Sequence, residues 1–183
     1  MKTIFYTLIG WIHILFYVYY RRQIPEIDKD LSRRAYGKTG VKAFTNVLGL
    51  KDYRNVFYYR VPLIPRNIMN IILPRVPDCK IQCPLDKCGG GIFVHHGWGT
   101  IVLAESIGEN LDVYQNVTVG YGKDGKPTIG DNVKIYPGAV ISGKIVIGNN
   151  VRIAANSVVR HDVPDGSLVY GNPCVIKNAK EVL

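Results

Sequence analysis

The sequence predicts a mainly β chain, a parallel β-helix preceded by an α-helical N-terminal region. Three observations carry that expectation. Aliphatic residues recur every six positions in the second half, glycines and asparagines punctuate that repeat, and the first half is basic, aromatic and without the period.

The lead positions are Ile129, Ile135, Ile141, Ile147, Ile153 and Val159, with Ile101, Ile107, Val113 and Val119 in phase upstream. A period of six matches neither the 3.6 of a helix nor the alternation of a hairpin meander. It fits short strands joined by tight corners, wound into coils with the lead residues stacked inward. Three hexads close one triangular coil, which places residue i beneath residue i+18. A second inward position falls four places on, at Leu111, Val117, Val133, Ala139, Ile145, Val151 and Ser157. Corners call for compact residues or positive φ, which accounts for Gly108, Gly130, Asn132, Gly148 and Asn149. The step from Val119 to Ile129 is ten. Residues 121–127, Tyr-Gly-Lys-Asp-Gly-Lys-Pro, are therefore read as a loop extruded from the coil.

At 183 residues the chain has room for one domain with a helical appendage. Its 47% hydrophobic and 20% charged residues exclude a disordered chain and a bundle of membrane spans. Charge divides it unevenly. Residues 1–75 hold 13 basic and 4 acidic side chains, whereas 76–183 hold 10 of each. The first part also has 13 of the 19 aromatics, and the second has 15 of the 19 glycines. The predicted boundary lies at Pro74-Arg75-Val76-Pro77, between a basic helical region, 1–75, and the β-helix, 76–183.

Four cysteines, Cys79, Cys83, Cys88 and Cys174, lack the close pairs of a zinc ribbon and are read as reduced thiols. Cys88 lies near the histidines and could serve as a nucleophile, but no sequence feature lowers its pKa.

The run from about Cys79 to Lys177 resembles the hexapeptide-repeat acyltransferases, within them the branch typified by serine O-acetyltransferase. The resemblance rests on Gly91-Ile-Phe-Val-His-His96, Tyr114-Gln-Asn-Val-Thr-Val-Gly120 and Gly171-Asn-Pro173. It implies a left-handed coil, a homotrimer with active sites between subunits, and acetyl-CoA as co-substrate with no metal. It also implies that His96 is the general base, a task suited to an imidazole whose unperturbed pKa is about 6.5. His95 is a second catalytic candidate. Asp78, eighteen residues before His96, Glu105, or a backbone carbonyl would orient the ring. The family motif places Tyr121, Pro137, Arg152 and Ala155 along the carrier, and Lys134, Lys144, Arg152, Arg160 and Lys177 are cations placed in sequence to meet its phosphates. Backbone amides near Gly120 or Gly138 would hold the oxyanion.

Three acceptor-side positions depart from the serine-transferring pattern. Those enzymes carry an Asp immediately before the catalytic histidine, where His95 stands here. They carry an Arg-His pair before the proline that ends the loop, where Gly125-Lys126 stands. The orienting carboxylate expected fifteen residues before the histidine is Ile81. From these losses the expected acceptor is a sugar hydroxyl of a surface polysaccharide or its lipid-linked precursor, as in colanic acid-type O-acetyltransferases. Serine is the alternative acceptor.

Residues 4–20 form a charge-free run closed by Arg21-Arg22, short of the roughly 20 residues of a spanning helix. With its tyrosines and basic flank it is read as lying at an anionic membrane surface. The implied location is cytoplasmic, at the inner face of the cytoplasmic membrane. A cap packed on the coil's end is the other reading. No nucleic-acid motif is present, and none is expected as partner. A zinc lyase on the same coil would need three histidine ligands, including a His-x4-His spacing that this chain lacks. A non-catalytic scaffold remains the third class.

Overall fold

A computed structural model describes residues 2–178, with the side chains of residues 2–5 left out of account. The chain divides into two compact units: Met1–Pro77 with Gly90–Phe93, and Asp78–Gly89 with Val94–Leu183. The expectation set the divide between residues 75 and 76; here it falls after Pro77, and four residues beyond it return to the helical unit.

The helical unit contains α1 (Lys2–Ile9), α2 (Trp11–Tyr20), α3 (Glu26–Arg34), α4 (Gly40–Val47), α5 (Lys51–Arg60) and α6 (Leu63–Ile72). The ends follow local chemistry. Helix α3 has Glu26 and Asp28 in its first turn and Arg33 and Arg34 in its last, matching the helix dipole. Pro62 separates α5 from α6, and Pro65 sits in α6's first turn, where no intrahelical N–H is lost. The apolar run of residues 4–20 does not form one helix. It is interrupted at Gly10, where a Cβ would stand 2.5 Å from Leu48 Cδ2. Among the described residues no helix is long and apolar enough to cross a membrane.

Aromatic packing closes this core. Tyr17 stacks on Phe44 with centroids 4.3 Å apart, and Phe44 meets Phe57 edge-on at 5.0 Å. His13 Nε2 lies 2.8 Å from Tyr58 Oη, which donates to the carbonyl of Leu73 at 2.7 Å. One phenol thereby ties α2, α5 and the end of α6 together. A buried ion pair, Arg60 Nε to Asp30 Oδ2 at 2.8 Å, is completed when Asp30 Oδ1 accepts the Ile92 amide at 2.8 Å. That bond explains why Gly90–Phe93 leaves the coil for the helical unit. A buried carboxylate requires more than one donor to offset its lost hydration.

The second unit is a parallel β-solenoid with three faces. One stacks Cys79–Gln82, Thr100–Leu103, Thr118–Gly120, Val140–Ser142 and Val158–Val159. A second stacks Ser106–Ile107, Thr128–Ile129 and Val146–Ile147. The third runs from Phe93–Val94 through Asp112–Val113, Lys134–Ile135 and Arg152–Ile153 to Ser167–Tyr170 and Val175–Asn178. Its last pair, Ser167–Tyr170 with Val175–Asn178, is antiparallel and ends the repeat.

Register follows the expected step where the sequence is regular: Val140 pairs Val158 and Lys134 pairs Arg152, each eighteen residues on. Across the extruded loop the step is twenty-two, as in Asp112 with Lys134. The lead residues from Ile107 to Val159 are all buried, each contributing about 1.5–3 kcal/mol of apolar burial. Ile101 departs from expectation. It is 38% exposed, while Val102 is fully buried and pairs with Val119. The step there is seventeen, and a one-residue slip moves every side chain to the opposite face.

The corners divide between two devices. Asn110, Asn116, Asn132, Asn150 and Asn156 adopt left-handed φ near +60°. Gly108, Gly130 and Gly148 do not. They are glycine because the coils touch there: a Cβ on Gly130 would lie 2.9 Å from the Gly148 carbonyl carbon. Asn149 builds a ladder instead, its Oδ1 accepting the Asp131 amide at 2.8 Å.

Candidate active site

The strand Phe93–Val94 ends one residue before the two histidines, so strand alternation does not set their directions. His95 continues the ladder, its amide donating to Val113 O at 2.8 Å. His96 then turns into the left-handed region at φ +66°, followed by Gly97 at +71° and Gly99 at +61°. The glycines are required. A Cβ at Gly97 would meet Val94 Cγ1 at 3.0 Å, and one at Gly99 would meet Asn116 Oδ1 at 2.6 Å. This reversal leaves the His96 imidazole exposed beside Trp98, with ring centroids 6.0 Å apart.

His95 is held differently. Its ring stacks on Tyr114 at 3.9 Å, and Tyr114 stacks in turn on Tyr136 at 5.2 Å. Its Nε2 lies 3.6 Å from Oδ1 of the buried Asp112, whose Oδ2 lies 3.8 Å from Lys134 Nζ. Asp112, Tyr114 and Trp98 were not among the residues expected from sequence. Asp112 lies seventeen residues after His95, whose ladder neighbour is Tyr114, so the eighteen-residue step does not announce that relationship.

Neither expected orienting carboxylate reaches His96. Asp78 is exposed at the residue before the Cys79–Gln82 strand, and no hydrogen bond or ion pair among the described residues joins it to His96. Glu105 is committed elsewhere, to Lys87 Nζ at 2.7 Å and Lys126 Nζ at 3.6 Å. The Lys87 hydrogen bond, with the charges of both lysines, holds the Glu105 carboxyl below its usual range. That makes it a weak proton acceptor at neutral pH. The Gly138 amide, expected as a free donor, is spent on the Gln115 carbonyl at 3.2 Å. A Cβ on Gly120 would meet nothing within 4 Å.

The carrier-side residues fall into a pattern. Lys134 pairs with Arg152, Arg152 with Leu168, and Leu168 with Lys177. Residues in register share a face, with strands about 4.8 Å apart. Three cations therefore lie in one row across the third face, a donor set suited to phosphate oxygens. Lys177 Nζ also lies 5.9 Å from the centroid of Tyr170. Ala155 is exposed at the Asn156 corner, and Tyr121 is exposed in the loop with Lys126 Nζ 5.7 Å over its ring.

The remaining candidates are inert. Cys79, Cys83 and Cys88 are buried and all four cysteines are free thiols. A hydrogen bond that the Cys83 thiol makes to Cys88 and, second, burial raise the Cys83 pKa, the reverse of nucleophile activation. His13 is a core residue. Among the described residues no three His, Cys, Asp or Glu side chains converge as metal ligands.

Residues 126–161 match the bacterial transferase hexapeptide (six repeats) family. The chain is 44% identical over 107 residues to a serine acetyltransferase of Bacillus licheniformis, covering 54% of this chain and 49% of that protein. It is 46% identical over 102 residues to one from Bacillus subtilis, covering 51% and 46%. The chain thus spans about half the length of the curated relatives it matches. Among solved structures it is similar to a Neisseria gonorrhoeae serine acetyltransferase in complex with serine. That likeness has TM-score 0.66 and 26% identity, over 90% of this chain and 73% of that one. A serine acetyltransferase in complex with CoA gives TM-score 0.60 at 28% identity, over 86% and 72%. These likenesses overturn the polysaccharide acceptor and the colanic acid-type branch expected from sequence. The lost serine grips show how the acceptor is not held; they never identified a sugar.

Proposed function

We propose that this chain is an acetyl-CoA-dependent O-acetyltransferase whose acceptor is the hydroxyl of serine. The observation that carries the reading is the exposed His96 imidazole, presented on a left-handed turn at the end of its strand. The serine acetyltransferases that match the repeat support the acceptor, and the CoA complex among them supports the carrier.

His96 would accept the serine hydroxyl proton as the oxygen attacks the thioester carbonyl carbon. Collapse of the tetrahedral centre breaks the C–S bond, and His96 returns its proton to the departing thiolate sulfur. The Lys134, Arg152 and Lys177 row would seat the carrier's phosphates, with Tyr121 and Ala155 bordering its arm. Carrier and acceptor are read as meeting between subunits of a homotrimer. In the extruded loop Lys126 stands where the serine-transferring pattern has an Arg-His pair. A single ammonium offers a point charge where a guanidinium offers a two-pronged fork, so serine should be held weakly.

The test follows free-thiol release from acetyl-CoA with serine as acceptor. The parent should turn over with a KM for serine in the millimolar range, Lys126→Ala should raise that KM, and His96→Ala should lower kcat by about 10²–10⁴. No turnover of serine by the parent would end the reading.

A further inference from the structure

The helical unit has an inverted surface. Helix α6 buries Pro65 and Met69 but turns Leu63, Ile64, Ile68 and Ile71 outward, with Ile64 75% and Ile71 83% exposed. Helix α2 has no formal charge, and Trp11, Leu15 and Tyr19, spaced along one side, are each about 60% exposed. The two helices touch, and Tyr58 ties both from behind, so their outward faces are neighbours. Exposed apolar patches of this kind mark an interaction surface.

Charge selects the occupant. Three of the four carboxylates in residues 1–75 are answered by arginines within the unit: Asp28 by Arg21, Asp30 by Arg60 and Asp52 by Arg34. The net +9 of this half remains, with Arg22 exposed after α2 and Arg66 and Arg75 near enough that each repels the other's charge. A second copy would bring the same surplus of positive charge against this face. An anionic bilayer offers apolar depth and the opposite charge together. Each helix is ten residues, about half the length needed to span.

We infer that the outward faces of α2 and α6 bind flat to the surface of an anionic lipid bilayer, without crossing it. The experiment floats the full chain with vesicles of phosphatidylcholine, with or without about 30 mol% phosphatidylglycerol. A Trp98→Phe variant leaves Trp11 as the one tryptophan, to be quenched by brominated acyl chains. Expected are flotation with the anionic vesicles, about tenfold less without the anionic lipid, and quenching of Trp11. The exposed-face variant Leu15→Asp/Ile68→Asp/Ile71→Asp should lose flotation while keeping the parent's circular dichroism and melting temperature. If that variant fails to fold, Trp11 quenching decides alone. A parent that stays unbound, an unquenched Trp11, or a folded variant that still floats overturns the inference. Loss of a self-associated species in that variant, with no flotation by the parent, assigns the face to a second copy instead.

Discussion

The imidazole of His95 lies flat on the phenol ring of Tyr114, with centroids 3.9 Å apart and planes 1° from parallel. Asp112 stands at the same imidazole's edge, 3.6 Å from Nε2. A ring held on one face and at one edge is a wall of the site. The neighbouring His96 ring has neither restraint and projects from a turn. His95→Phe, which keeps a flat ring on Tyr114, should therefore leave kcat within about tenfold of the parent, far less than the loss at His96→Ala. Steady-state kinetics of the two variants check this, and the opposite ranking would exchange their roles.

The cationic row makes a separable prediction. Arg152 lies between Lys134 and Leu168 in register, away from the turn that carries His96. Removing a phosphate contact weakens ground state and transition state alike. Arg152→Ala should raise KM for acetyl-CoA about tenfold with kcat nearly unchanged, and the difference should shrink as ionic strength rises. Initial rates across carrier concentration at two salt levels measure it.

His13 supplies a pH dependence of stability. Burial, its largest cause, together with the charge of Arg54, lowers its pKa to about 4, against an opposing hydrogen bond at Met69. Tyr58 gives its proton to Leu73, so His13 Nε2 is the donor in their bond and Nδ1 is left bare in the core. The unfolded chain then binds more protons than the folded chain between pH 6.5 and 4. Stability is whole above pH 6.5 and falls as pH drops through that window, by about 3 kcal/mol at its lower end. Urea midpoints should show this slope in the parent and a flatter one in His13→Gln.

The glycines of the solenoid should divide by contact. Gly130→Ala forces a methyl to 2.9 Å from the Gly148 carbonyl carbon, between stacked backbones that cannot part without breaking ladder bonds. A loss of about 1–3 kcal/mol is expected. Gly120→Ala meets nothing within 4 Å and should stay within about 0.5 kcal/mol of the parent. Thermal melts of the two variants provide the comparison.

Legibility tracked the reach of each interaction. The Ile107-to-Val159 column was readable because coil pairing is local: residue i meets i+18, and six-residue spacing is written in the chain. Ile101 was misread because one missing residue, invisible to a period search, slides the register by one. The pairing of Glu105 was legible only in part. Lys87 lies eighteen residues before Glu105, the coil step itself, whereas Lys126 reaches it from the extruded loop, which no spacing announces. The glycine between α1 and α2 answers to Leu48, thirty-eight residues away, whose Cδ2 a Cβ at Gly10 would meet.

The order of residues alone determined the coil, the protruding loop, the histidine pair and the charge divide. Each of these follows from short-range periodicity or from a count. Only the folded chain decided that His95 is pinned while His96 is presented, that Asp112 faces His95, and that α6 turns its isoleucines outward. Those outcomes depend on which distant side chains reach the space first. Packing and desolvation settle that contest between elements, and neither is encoded within any one of them.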